Sequence, residues 1–200
     1  FFNDDFIFGI STGFTKNSVS GGVGHSHSNN YYLAAYGSLR LAPITLRAGL
    51  GHTWHTIKTE RTVTSSVYSD HNTADYKGKT NHLFMEAAYP WKSSIINAEP
   101  FVNFAFTNAE SHGFRENGEK ASLVTGRQSL DTTTTTLGFR LDNQWKVGNT
   151  SSIDVHGELG WQHQYDKRER EMAFRFTHRN LLAPPLNYYG VNAPRDGMAI

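Results

Sequence analysis

The chain has 200 residues, of which 38% are hydrophobic, 13% aromatic and only 18% charged, with 18 glycines and no cysteine. A formal net charge of +1 gives no electrostatic case for a nucleic-acid partner, and the lack of cysteine excludes a disulfide scaffold, thiol catalysis and cysteine-based zinc sites. The mean hydropathy of −0.52 is low for a chain with a large apolar core, and no apolar run approaches the length of a transmembrane helix.

Apolar and polar residues instead alternate with a period of two, the signature of strands with one greasy and one polar side. Near 6–14, Phe6, Phe8, Ile10 and Phe14 oppose Gly9, Ser11 and Gly13. Near 30–39, Tyr31, Leu33, Ala35 and Leu39 oppose Tyr32, Ala34, Tyr36 and Ser38. Near 44–56, Ile44, Leu46, Leu50, His52 and Trp54 oppose Thr45, Arg47, Gly49 and Gly51. Near 80–91, Leu83, Met85, Tyr89 and Trp91 oppose His82, Phe84 and Glu86. Near 96–107, Ile96, Ala98, Val102, Phe104 and Phe106 oppose Asn97, Glu99 and Asn103, with Pro100 awkward for a central strand. Near 131–145, Leu137, Phe139 and Leu141 oppose Gly138, Arg140 and Asp142. Near 151–163, Ile153, Val155, Leu159 and Trp161 oppose Asp154, His156, Glu158 and Gln162, and Met198 begins a further strand. About seven visible strands of roughly ten residues, with no helical period, predict an all-β antiparallel transmembrane β-barrel segment.

The connections alternate between short and long. Short turns at 40–43, 92–94 and 146–150 predict a periplasmic side, and polar loops at 15–29, 57–78 and 108–130 predict an exterior side. Trp54 and Trp161 then fall at outer strand ends and Trp91 and Trp145 at inner ends, all on the apolar side, which predicts two aromatic girdles framing a lipid-facing band. The opposite face is read as a lumen, lined by Arg47, Glu86, Glu99, Arg140, Asp154 and Glu158. Charges of both signs on a hydrated interior pair while keeping partial solvation.

No residue set has catalytic spacing. His25 and His27 lie in a Gly/Ser/Asn-rich loop without a third metal ligand fixed nearby. His82 and Glu86, four apart on a strand, are separated by about 13 Å, too far for a base and its orienting partner. There is no G-x-S-x-G elbow, and KRERE at 167–171 reads as a solvated mixed-charge loop. No enzyme activity, metal or cofactor is expected.

The ordered fragments YYLAAYGS, ITLRAGLGHTWHTIKTERTV, FMEAAYPW, AEPFVNFAF, TTTLGFRL, HGELGWQHQY and VNAPRDGMAI resemble the translocator β-domain of bacterial autotransporters, the type V secretion family, over essentially the whole chain. The resemblance implies a twelve-stranded barrel with a linker helix through its lumen, of which residues 1–200 form one domain incomplete at both ends. It implies structural roles for Arg47, Trp54, Glu86, Glu99, Arg140, Trp161, Arg195 and Asp196. It also implies an outer-membrane location in a Gram-negative cell, export and display of the protein's own N-terminal passenger, and contact with outer-membrane lipid and the barrel-assembly machinery. Two other readings stand beside it: an outer-membrane enzyme of the protease or lipase kind, and a soluble lipocalin-type barrel whose interior would be the apolar set.

Overall fold

The structure, a computed structural model, describes residues 5–22, 24–93, 96–147, 151–166, 171–177, 186–189 and 194–199. In chain order the strands are β1 (Phe6–Gly21), β2 (Gly24–Leu41), β3 (Ile44–Thr64), β4 (Ser69–Ala88), β5 (Trp91–Lys92), β6 (Asn97–Ser111) and β7 (Phe114–Arg115). They continue with β8 (Leu123–Thr125), β9 (Gln128–Val147), β10 (Ser151–Gln164), β11 (Glu171–Phe176), β12 (Leu186–Tyr189) and β13 (Asp196–Ala199). One sheet runs β1-β2-β3-β4-β6-β9-β10-β13, with β5 also on β6, and a small sheet runs β12-β11-β8-β7. All pairings are antiparallel between the strands of this meander, as tight connections require. The seven expected strands are all present, and β13 begins just before the expected Met198.

Three of the expected boundaries change. Segments 15–29 and 57–78 are mostly strand rather than loop: β1 and β2 pair as far as Gly21↔Gly24, and β3 and β4 as far as Thr64↔Ser69. Segment 108–130 likewise contains the end of β6, all of β7 and β8 and the start of β9. The reason is solvent. Beyond the apolar band both faces of a strand meet water, so alternation disappears while the backbone ladder continues. At 21 residues, β3 extends about 70 Å, far more than the roughly 25 Å apolar band of a membrane barrel. The short turns keep their place, with Leu41↔Ile44 closing β2 to β3 and Val147↔Ser151 closing β9 to β10. Residues 94 and 148–150 of the expected turns, and 167–170 of the KRERE run, lie outside the described residues.

The expected strand 80–91 is interrupted after Ala88 and resumes as β5 without losing register, since Ala88↔Phe101 and Trp91↔Ala98 lie on one ladder. Pro90 and Pro100 explain the gap, because neither has an N–H to donate. Tyr89 N–H still donates to the Pro100 carbonyl at 2.9 Å. Pro100 itself stays within β6, opposite Phe139 on β9.

Burial is inverted relative to a water-soluble domain. Among the described residues the buried hydrophobic ones are Ala74, Ala88, Phe101 and Ala121, while Asn30, Thr45, Asn72, Glu86, Ser122 and Thr136 are among the buried polar ones. Leu50 is 63% exposed, Met85 57%, Leu137 48% and Phe104 41%, all on the predicted apolar face. A continuous exposed apolar face of this kind has no place in water. A lipocalin arrangement would instead need that set buried inside its barrel.

On the polar face, aromatic rings lie over cross-strand glycines. Gly9↔Tyr36, Gly13↔Tyr32, Gly49↔Phe84 and Gly138↔Phe101 are direct register partners. A Cβ added at Gly13 would lie 2.5 Å from the Tyr32 ring, one at Gly138 would lie 2.8 Å from Phe101 Cζ, and one at Gly49 would collide with Phe84. Each missing side chain is a seat for a ring lying flat along the sheet.

Candidate functional site

The ladder brings five of the six predicted polar-face charges into one cluster. Arg47 on β3 faces Glu86 on β4, and Arg140 on β9 faces Glu99 on β6 and Glu158 on β10. Arg47 Nη1 donates to Glu86 Oε1 and Glu99 Oε1, both at 2.8 Å, and its Nη2 donates to Glu99 Oε2 at 3.0 Å. Arg140 donates to Glu86 Oε1 and Oε2 and to Glu99 Oε1, each at 2.9 Å, and through Nε to Glu158 Oε2 at 2.8 Å. Its guanidinium carbon sits 4.0 Å from the centroid of Phe101, and Asn103 adds a 3.4 Å amide contact to Glu86. Glu86 is nearly enclosed, with 6% of its side chain exposed, while Arg47 keeps 34% and Arg140 22%.

Two arginines against three glutamates leave this cluster one negative charge when all are ionised. Planar guanidinium groups suit it, since each holds several carboxylate oxygens at once. The five neighbouring strands β3, β4, β6, β9 and β10 each supply one member, so the network ties them together across the middle of the main sheet. Both Glu86 oxygens already accept guanidinium N–H groups, which is the geometry of a structural clamp. Asp154 is not part of it: it is exposed on β10 opposite Gln144, four residues from Glu158 and thus about 13 Å along the strand. Phe101 was missed as a site residue, although its two-residue spacing from Glu99 and Asn103 put it on that face.

Trp54, Trp91, Trp145 and Trp161 are 51%, 57%, 52% and 47% exposed and share the apolar face. Phe14, Tyr31 and Trp54 form one register row across β1, β2 and β3, with the Phe14 and Tyr31 rings 4.7 Å apart. Arg195 accepts a backbone hydrogen bond from Gln164, and Asp196 pairs with His163 at 2.8 Å, so both tie β13 to β10. His82 contacts Thr107 and His25 contacts Ser20, and no group of three His, Cys, Asp or Glu among the described residues is placed to hold a metal ion.

A second polar assembly, absent from the sequence reading, lies beyond the apolar band. The segment between β7 and β8 folds back on the β3–β4 hairpin. Arg61 Nη2 donates to Glu116 Oε2 at 2.6 Å and to the Ala121 carbonyl at 2.8 Å, and Leu123 N–H donates to Glu116. Asp70 accepts the N–H groups of Glu119 at 3.0 Å and Ala121 at 2.6 Å, which hold its carboxyl below the usual aspartate range. Thr73 and Asn117 exchange backbone hydrogen bonds, and the Tyr76 and Phe114 rings stack at 4.5 Å. Contacts this far apart in sequence leave no local pattern to read.

The autotransporter beta-domain family model matches residues 1–200. Two proteins of Serratia marcescens, each named extracellular serine protease, are similar: one is 42% identical over 190 residues, covering 94% of this chain and 18% of its own length. The other is 40% identical over 195 residues, covering 97% of this chain and again 18% of its own length. The chain therefore spans less than a fifth of these relatives, and their name describes whole proteins of which the matched stretch is a small part. Long antiparallel strands, an exposed apolar face and the full-length family match lead to one conclusion: the chain belongs to the autotransporter β-domain family, a translocator of the Gram-negative outer membrane.

Proposed function

We propose that this chain anchors and helps export its own N-terminal passenger, and that its polar face lines the pore and holds the linker to that passenger. The observation that carries the reading is the Arg47–Glu86–Glu99–Arg140–Glu158 cluster on the face opposite the exposed apolar side chains. Mixed, mutually compensated charge beside glycines offers hydrogen bonds to a threaded polar segment without holding any one sequence tightly. The translocator itself is read as non-catalytic. The serine-protease name of the relatives suggests a protease as one class of passenger. Trp54, Trp91, Trp145 and Trp161 serve as girdles at the two lipid–water boundaries, with outer-membrane lipid and the barrel-assembly machinery as partners. The outer edges of the main sheet, β1 and β13, are unpaired among the described residues. Unsatisfied backbone groups in hydrocarbon are costly, so the working barrel closes those edges against each other or against further strands. The test is surface display of the passenger and single-channel current in the full-length protein, with Glu86→Gln and Arg140→Gln. Both variants should still fold, with altered current or display. Unaltered current and display in folded variants would remove the pore-lining role.

A further inference from the structure

The assembly beyond the apolar band lies on one side of the sheet. Arg61, Asp70, Asn72 and Tyr76 continue the polar face past the membrane, in the register rows Ile57↔Tyr76, Arg61↔Asn72 and Val63↔Asp70. Residues 114–123 touch all four of these side chains, so they rest against the polar face and not behind it. Arg61 is seven residues beyond Trp54 on β3, about 24 Å farther out. A chain moving outward along the polar face meets this segment soon after the aromatic boundary.

The two sides of the segment are held differently. β7 and β8 leave the main sheet where the β6–β9 ladder ends at Ser111↔Gln128, and backbone ladders join β8 to β7 and β11, and β11 to β12. Glycines stand at both sides of the neck: a Cβ at Gly113 would lie 2.7 Å from the Thr125 carbonyl oxygen, while Gly126 has open space around it. The attachment to β3 and β4 rests instead on the Arg61–Glu116 pair, the two amides held by Asp70, the Tyr76–Phe114 stack and the single backbone bridge Thr73↔Asn117. That seam also contains Asn72 Oδ1, on a side chain 0% exposed, and it is the one buried side-chain atom without a hydrogen-bond partner among the described residues. Gly118 packs on it so closely that a Cβ there would collide. With the seam closed this acceptor stays dry, and parting the seam hydrates it, so closure carries a built-in penalty. We propose that β7, β8 and the residues between them form a gate over the outer mouth of the pore. It hinges at Gly113 and Gly126, carries β11 and β12 with it, and parts from β3 and β4 along the Arg61–Asp70–Asn72 seam to let the passenger through.

This inference rests on the polar face lining the pore, and the experiment separates the two. The chain has no cysteine, so Thr73→Cys with Asn117→Cys places one pair across the seam. Register partners in an antiparallel ladder lie about 5.5 Å apart at Cα, within reach of a disulfide. The full-length double variant is oxidised after insertion, with folding followed by heat-modifiable gel mobility. Cross-linking should reduce single-channel current and slow passenger display about tenfold, and a reductant should restore both. Each single-cysteine variant should behave as the wild type. Asn72→Leu, similar in shape but without the unpaired acceptor, should prolong closed dwell times about fivefold, and Arg61→Gln should shorten them by a similar factor. A disulfide that forms yet leaves current and display unchanged would make the assembly a fixed brace, overturning the gate while the pore reading stands. A folded double variant that fails to cross-link would place residue 117 away from β4 and overturn it as well. A folded wild-type protein with neither current nor display would remove the pore reading and the gate with it.

Discussion

Single residues here divide by the face they occupy. Arg140 touches three carboxylates and the Phe101 ring, whereas Arg47 touches two carboxylates, so Arg140→Ala should destabilise more than Arg47→Ala. A loss of about 1–3 kcal/mol is expected for Arg140→Ala, below the value for a fully buried pair because the side chain keeps some solvent contact. Arg140→Lys should recover little of it, since an ammonium cannot reproduce the fork. Urea titration followed by gel mobility measures the series, and a full rescue by lysine would refute the bidentate account. On the other face, Leu50→Arg or Phe104→Arg should cost roughly 2–4 kcal/mol near the bilayer midplane, against almost nothing for an exchange to another apolar residue. Gly49→Val should displace the Phe84 ring and cost about 1–3 kcal/mol, and the loss should shrink in a Phe84→Ala background if ring seating is the cause.

At the scale of elements, the long hairpins raise the question of how strands persist beyond the membrane. Asp70 answers it for β3 and β4, outside the spanning segment, by clasping the Glu119 and Ala121 amides. Its depressed folded-state pKa means that the ionised form is the one the fold favours. The stabilisation is therefore fully present above the unfolded aspartate value near pH 3.9 and is lost as pH falls through the lower folded value. Protease cleavage in 117–122 should rise on acidification into that window. Asp70→Asn should raise cleavage at neutral pH and remove most of the acid dependence. A cleavage rate that ignores both pH and the substitution would show that Arg61 and Glu116 hold the segment alone. The Pro90 and Pro100 interruption is different in kind, because register survives it on both sides.

For the whole molecule, sidedness is the property that matters. Protease added to intact cells should cut near the hairpin tip at 65–68 and spare the turn at 42–43. Cleavage only at the second would invert the orientation. The inverted burial makes a related statement about solvent: with Leu50, Trp54, Met85 and Trp91 each more than half exposed, the isolated sheet should need detergent to remain dispersed.

What the sequence determined alone was the strand pattern within the membrane band and the side on which each residue falls. Lipid on one face and a polar interior on the other impose a strict two-residue period, and that period is visible in Leu46, Leu50 and Trp54 against Arg47 and Gly49. The same alternation named Glu86, Glu99, Arg140 and Glu158 without revealing that they meet, and it also named Asp154, which stays apart. Only the tertiary structure decided the strand ends and the clasp of Asp70 and Arg61 on residues 116–123. The physical reason is shared. Where water reaches both faces, burial no longer writes a period into the chain, and contacts are then set by register between strands distant in sequence.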